Sequence, residues 1–125
     1  MSNQYSNSNR AYIARRAMFW KIRSEYLDAV AEREAILESS PPPPDGQPGG
    51  RRVTDPTGDK ALRLAILSRF VNGVDGAIRQ IPEEYRDGVW NHVLYGKRFP
   101  ALATRSTWER WERYFLGAAI VRTRE

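Results

Sequence analysis

Four consecutive prolines, Pro41–Pro44, run into Asp45-Gly46-Gln47-Pro48-Gly49-Gly50 and divide this chain into two parts that no single helix or strand can bridge. Proline lacks a backbone donor and clashes with the preceding turn, a run of it favours polyproline II, and Asp-Gly and Gly-Gly favour turns. Residues 40–54 therefore read as a semi-rigid Pro/Gly linker rather than a proline-motif docking site. On both sides apolar residues recur at three- and four-residue steps, and no segment alternates with strand period. The expected fold is all-α: a long N-terminal helix, the linker, then a helical domain ending in a helix-turn-helix-like unit.

Residues 1–10 are mostly Asn and Ser and offer nothing to bury, so they read as a disordered tail. Residues 11–39 contain no proline or glycine and are expected to form one long amphipathic helix. Phe19, Ile22, Tyr26, Val30 and Leu37 trace one apolar stripe, interrupted at Arg33. Ile13, Trp20, Leu27 and Ala31 trace a second. Arg15, Arg16, Lys21 and Arg23 precede Asp28, Glu32, Glu34 and Glu38, an order that opposes the helix dipole. Packing must therefore set this helix, either on the rest of the domain, on a second copy as a homo-oligomer, or on both.

Residues 55–125 form the expected helical domain. Asp55 caps a helix that places Pro56 in its first turn, and Ala61, Leu64, Leu67, Val71, Val74 and Ile78 carry its stripe to about Gln80. Gly73 and Gly76 within it predict a kink or a close helix contact. The next helix is expected over Pro82–Tyr95, with Glu83 and Glu84 in its first turn and Gly96 as a left-handed cap. After a short connector, Ser106 and Glu109 have the spacing of a capping box, which predicts a last helix from Thr107 to about Arg122.

That last helix carries two faces. Trp108, Trp111 and Phe115 share one side at core-packing spacing rather than as stacking platforms for unpaired bases, with Trp90, Val93 and Leu94 as expected partners. Gly117-Ala118-Ala119 offers a small surface for another helix. Lys97, Arg98, Arg105, Arg110 and Arg113 make the neighbourhood basic against only Glu109 and Glu112, with Ser106 and Thr107 at its N-terminal end. Helix, glycine turn, connector and capped helix follow the order of a helix-turn-helix, whose second helix enters the major groove. Glu109 is expected in the capping box. Glu112 is expected to pair with an arginine or to accept from a cytosine amine.

Composition narrows the function classes. The chain has 125 residues, a net charge of +5 and no cysteine, which favours polyanionic partners and a reducing, cytoplasmic setting. Its longest apolar run, Phe115–Val121, is too short to span a bilayer. His92 is the single histidine and has no carboxylate cluster beside it, so no metal or cofactor is expected. Gly58-Asp59-Lys60 lacks the ending of a phosphate loop, and adjacent Glu83 and Glu84 cannot oppose each other as acid and base. Nothing in the sequence points to an enzyme.

Val53-Thr54-Asp55-Pro56-Thr57 leading into Lys60-Ala61-Leu62-Arg63-Leu64 resembles the middle of the RinA/ArpU-type phage transcriptional regulators. Ile81–Arg86, Gly88-Val89-Trp90, Tyr95-Gly96-Lys97, Pro100 and Ser106–Trp111 resemble the final segment of that family. More distantly, Pro82–Gly96 with Ser106-Thr107 is similar to the last domain of sigma factors, although Arg98–Thr104 is too short for a full first helix of that motif. The resemblance implies a phage or prophage regulator that binds double-stranded DNA and activates late genes. By position it assigns DNA-facing roles to Arg105, Ser106, Thr107, Arg110 and Arg113, and phosphate contacts to Lys97 and Arg98. The alternatives are a terminase small-subunit-like packaging protein and a helical adaptor of RNA polymerase.

Overall fold

The computed structural model describes residues 2–39 and 56–124, with side chains over 9–39 and 58–124. Four helices account for nearly all of them: α1 (Ser2–Ser39), α2 (Pro56–Ile78), α3 (Glu83–Tyr95) and α4 (Arg105–Arg124). No strand occurs among the described residues, so the fold is all-α. No helix among them is long and apolar enough to cross a membrane. The linker expected at 40–54 and the capping role of Asp55 lie outside the described residues.

Helix α1 begins at Ser2, so helical backbone runs through the segment read as a disordered tail. Asn and Ser are mediocre helix formers, but no proline or glycine stands between Ser2 and the strong helical run after it, and propagation costs less than nucleation. The inner face of α1 is Met18, Phe19, Ile22, Tyr26 and Ala29, all buried. Ile36 rather than Leu37 continues it, half-buried, while Leu37 faces solvent. Arg33 sits in that stripe without breaking it, because its guanidinium reaches across to donate to Asn72 Oδ1 at 3.1 Å.

On α2 the stripe is inward only in its second half. Leu67, Val71, Val74 and Ala77 are buried, whereas Ala61 is exposed and Leu64 half-buried. Tyr26 of α1 donates its hydroxyl to Asp75 Oδ1 at 2.6 Å, and Arg63 of α2 grips Glu32 of α1 through two bonds of 2.8 Å. The expected feature near Gly73 is a close helix contact, since a Cβ there would stand 2.7 Å from Thr123 on α4. Helix α4 accordingly packs most extensively along α2, not along its sequence neighbour α3.

A tight turn at Arg79–Pro82 leads into α3, with Ile81 fully buried beneath it. Helix α3 starts at Glu83 with Pro82 as the residue before it, one position later than expected. Its end matches the expectation. Gly96 adopts φ 70°, ψ 20° and donates its N–H to the His92 carbonyl at 3.0 Å, a left-handed cap that glycine adopts without strain.

Candidate nucleic-acid interface

The start of α4 differs from the capping-box expectation. Helix α4 begins at Arg105, and Thr104 caps it: the Thr104 carbonyl accepts from the Thr107 and Trp108 N–H groups, and its Oγ1 lies 3.4 Å from the Thr107 nitrogen. Threonine belongs to the same preferred set of capping residues as the serine two positions later, though it ranks somewhat below it. Glu109 does not fold back onto Ser106; its carboxylate instead accepts from Arg105 Nε at 2.8 Å, one helical turn away.

The aromatic face is largely core, though its partners are only partly those expected. Trp108 is buried, stacks on Phe99 with centroids 5.4 Å apart and meets Tyr85 edge-on at 5.2 Å. Its indole N–H donates to the Pro100 carbonyl at 3.0 Å, so the connector itself satisfies the polar end of the ring. Phe115 is fully buried against the edge of Trp90, as expected. Trp111 is only half-buried and stacks on Tyr85 at 5.8 Å. A Cβ added at Gly117 would meet nothing within 4 Å among the described residues, and Ala119 is the residue of this stretch that is fully buried in the core.

Both acidic residues of the basic helix have internal partners. Glu109 holds Arg105. Glu112 places Oε1 2.5 Å from His92 Nδ1, and the His92 ring in turn lies against Phe99 with centroids 4.2 Å apart. Glu112 thus anchors α4 to α3 instead of pairing with an arginine or facing outward. His92 sits half-buried within this cluster.

The expected site residues separate into three groups. Lys97 and Arg98 are exposed on the connector; the Lys97 ammonium rests 5.8 Å from the Tyr95 ring, and Arg98 borders a cavity of about 370 Å³ with Phe99, Pro100 and Arg105. Arg105 is 84% exposed but ion-paired, and Thr107 is half-buried with Oγ1 3.1 Å from that of Thr104. Ser106, Arg110 and Arg113 lie on the outward side of α4, where neither arginine makes an ion pair among the described residues.

Two further cations join this surface through the packing of α1 on α4. Arg15 and Arg16 border, with Arg113, Leu116 and the carboxylates of Glu109 and Glu112, a groove of about 390 Å³. The basic first half of α1 is visible in sequence, but nothing local says which helix it will lie beside. Arg23 is not available to a ligand. Its guanidinium donates to the His92 and Val93 carbonyls at 2.6 and 2.8 Å, meeting the negative end of α3. The exposed acids of α3, Glu83, Glu84 and Asp87, belong to its opposite end.

Nine residues, 96–104, join α3 to α4, against three or four in a helix-turn-helix. No group of three or more metal-binding side chains occurs among the described residues. Compared with protein-family models, curated proteins and solved structures, the chain finds no match.

Proposed function

We propose that this chain is a duplex-DNA-binding transcriptional regulator that lays the outward face of α4 against DNA. The observation that carries the proposal is the internal use of Glu109 and Glu112. With those carboxylates taken by Arg105 and His92, the outward face presents Ser106 with Arg110 and Arg113, neither of them ion-paired among the described residues. Lys97 and Arg98 flank the N-terminal end of the same helix, where the dipole also favours phosphate. Arg110 and Arg113 contact base edges or phosphates in this reading, and Lys97 and Arg98 fix register on the backbone. The resemblance to the RinA/ArpU-type regulators supports a phage or prophage role in activating late genes. The long connector means that α4 need not enter the groove in helix-turn-helix geometry.

A fluorescence-anisotropy titration of a labelled duplex at several salt concentrations tests this reading. Replacing Lys97 and Arg98 by alanine should weaken binding to all sequences alike and reduce the salt slope by about one for each lost phosphate contact. An unchanged slope removes those two residues from the interface. Absence of duplex binding in the parent chain at low salt replaces the proposal with the adaptor reading, in which the same face meets an acidic protein surface.

A further inference from the structure

The side of α1 opposite its core face carries an ordered apolar stripe that stays open among the described residues, apart from the Arg16 and Arg23 guanidiniums over the Trp20 ring. Ile13, Ala17, Trp20, Ser24, Leu27 and Ala31 succeed one another at alternating steps of four and three residues, the spacing of a coiled-coil seam. All six are exposed, and the large ones strongly so: Ile13 63%, Trp20 49% and Leu27 48%. Large and small residues alternate strictly along the stripe. Two such helices in parallel register would oppose large to large and small to small, leaving alternate layers overfull and empty. Antiparallel pairing sets each large residue against a small one.

We infer that α1 is the dimerisation helix of this protein and pairs antiparallel with α1 of a second copy, centred near Ile22. In that register Ile13 meets Ala31, Ala17 meets Leu27, and Trp20 meets Ser24 of the partner, each contact occurring twice by symmetry. The next layer outward sets Arg10 against Glu34, both exposed and neither ion-paired among the described residues. The eight layers span about 36 Å of helix.

Charge selects the same partner and the same direction. The basic first half of α1 and its more acidic second half oppose the helix dipole within one chain. In the antiparallel pair each basic half lies along the acidic half of the other copy. A parallel pair would stack like on like. Near the centre like charges meet, Lys21 beside Lys21 and Arg23 beside Arg23 of the other copy, but Lys21 is paired with Glu25 and Arg23 with the α3 carbonyls.

This inference does not rest on DNA binding, and its test uses the full chain without DNA. Sedimentation equilibrium from about 1 to 500 μM should give a dimer. Leu27→Lys should give a monomer with unchanged helical circular dichroism. Arg10→Glu and Glu34→Arg should each raise the dimer Kd about tenfold, because each turns two attractions into repulsions, and the double variant should recover the parent value. A monomer throughout the range overturns the proposal. So does a dimer indifferent to Leu27→Lys, or one in which the charge reversals fail to compensate each other, as a parallel pair requires.

Discussion

At Gly88 the seat between α3 and α4 has no room for a methyl group. A Cβ there would stand 2.5 Å from the Trp108 ring and 2.9 Å from Pro100, and the ring is held from its other sides by Phe99 and Tyr85. Gly88→Ala gains helix propensity but forces the indole out of place, so a net loss of about 1–3 kcal/mol is expected. A lowered thermal midpoint, together with a red-shifted tryptophan emission, would report it. Tyr26 makes a pH-dependent contribution. Burial, and then the bond to Asp75, push its phenol above the ordinary range. The folded chain therefore holds that proton more tightly than the unfolded chain, whose phenol titrates near about pH 10. The resulting stability is fully present below that pH and is lost as pH rises toward the folded value. Tyr26→Phe should flatten the alkaline decline of stability by up to about one proton, read from urea midpoints between about pH 9 and 11.

At the scale of the elements, the cap of α4 gives a clean comparison. Thr104→Ala should cost about 1 kcal/mol and Ser106→Ala only a few tenths; the capping-box arrangement would reverse that order. Urea denaturation of the two single variants decides between them. The same comparison shows where sequence reasoning stops. Helix existence was legible: the stripes, Pro56 and Gly96 locate all four elements to within a few residues, apart from the beginning of α1. Caps were less so, because Thr104 and Ser106 are both capping residues, serine the better of the two by type, and Glu109 pairs with Arg105 rather than completing a box with Ser106. Partner choice was least legible. The spacing of Trp108, Trp111 and Phe115 says that they share a face, but not that α4 settles chiefly on α2 or that the connector accepts the indole proton. For the candidate interface, Arg110 and Arg113 could be placed outward from spacing alone. Arg15 and Arg16 could not, since they reach Arg113 only through the tertiary placement of α1.

At the scale of the whole molecule, Arg23 supplies from α1 the hydrogen bonds that finish α3, about seventy residues later in the chain. Ile22, the residue just before Arg23, is fully buried in the same core. The Pro/Gly-rich boundary in the sequence is therefore not a folding boundary. Residues 56–124 alone would leave the His92 and Val93 carbonyls without their guanidinium and open the core where Phe19, Ile22 and Tyr26 belong. Expressed separately, that segment should melt without a cooperative transition. A peptide covering α1 should restore the transition on mixing, and the same peptide carrying Arg23→Ala should restore it less completely. The chain would then behave as two complementary fragments that happen to be covalently joined, and a single peptide-bond break between them would be silent until the pieces were forced apart by dilution.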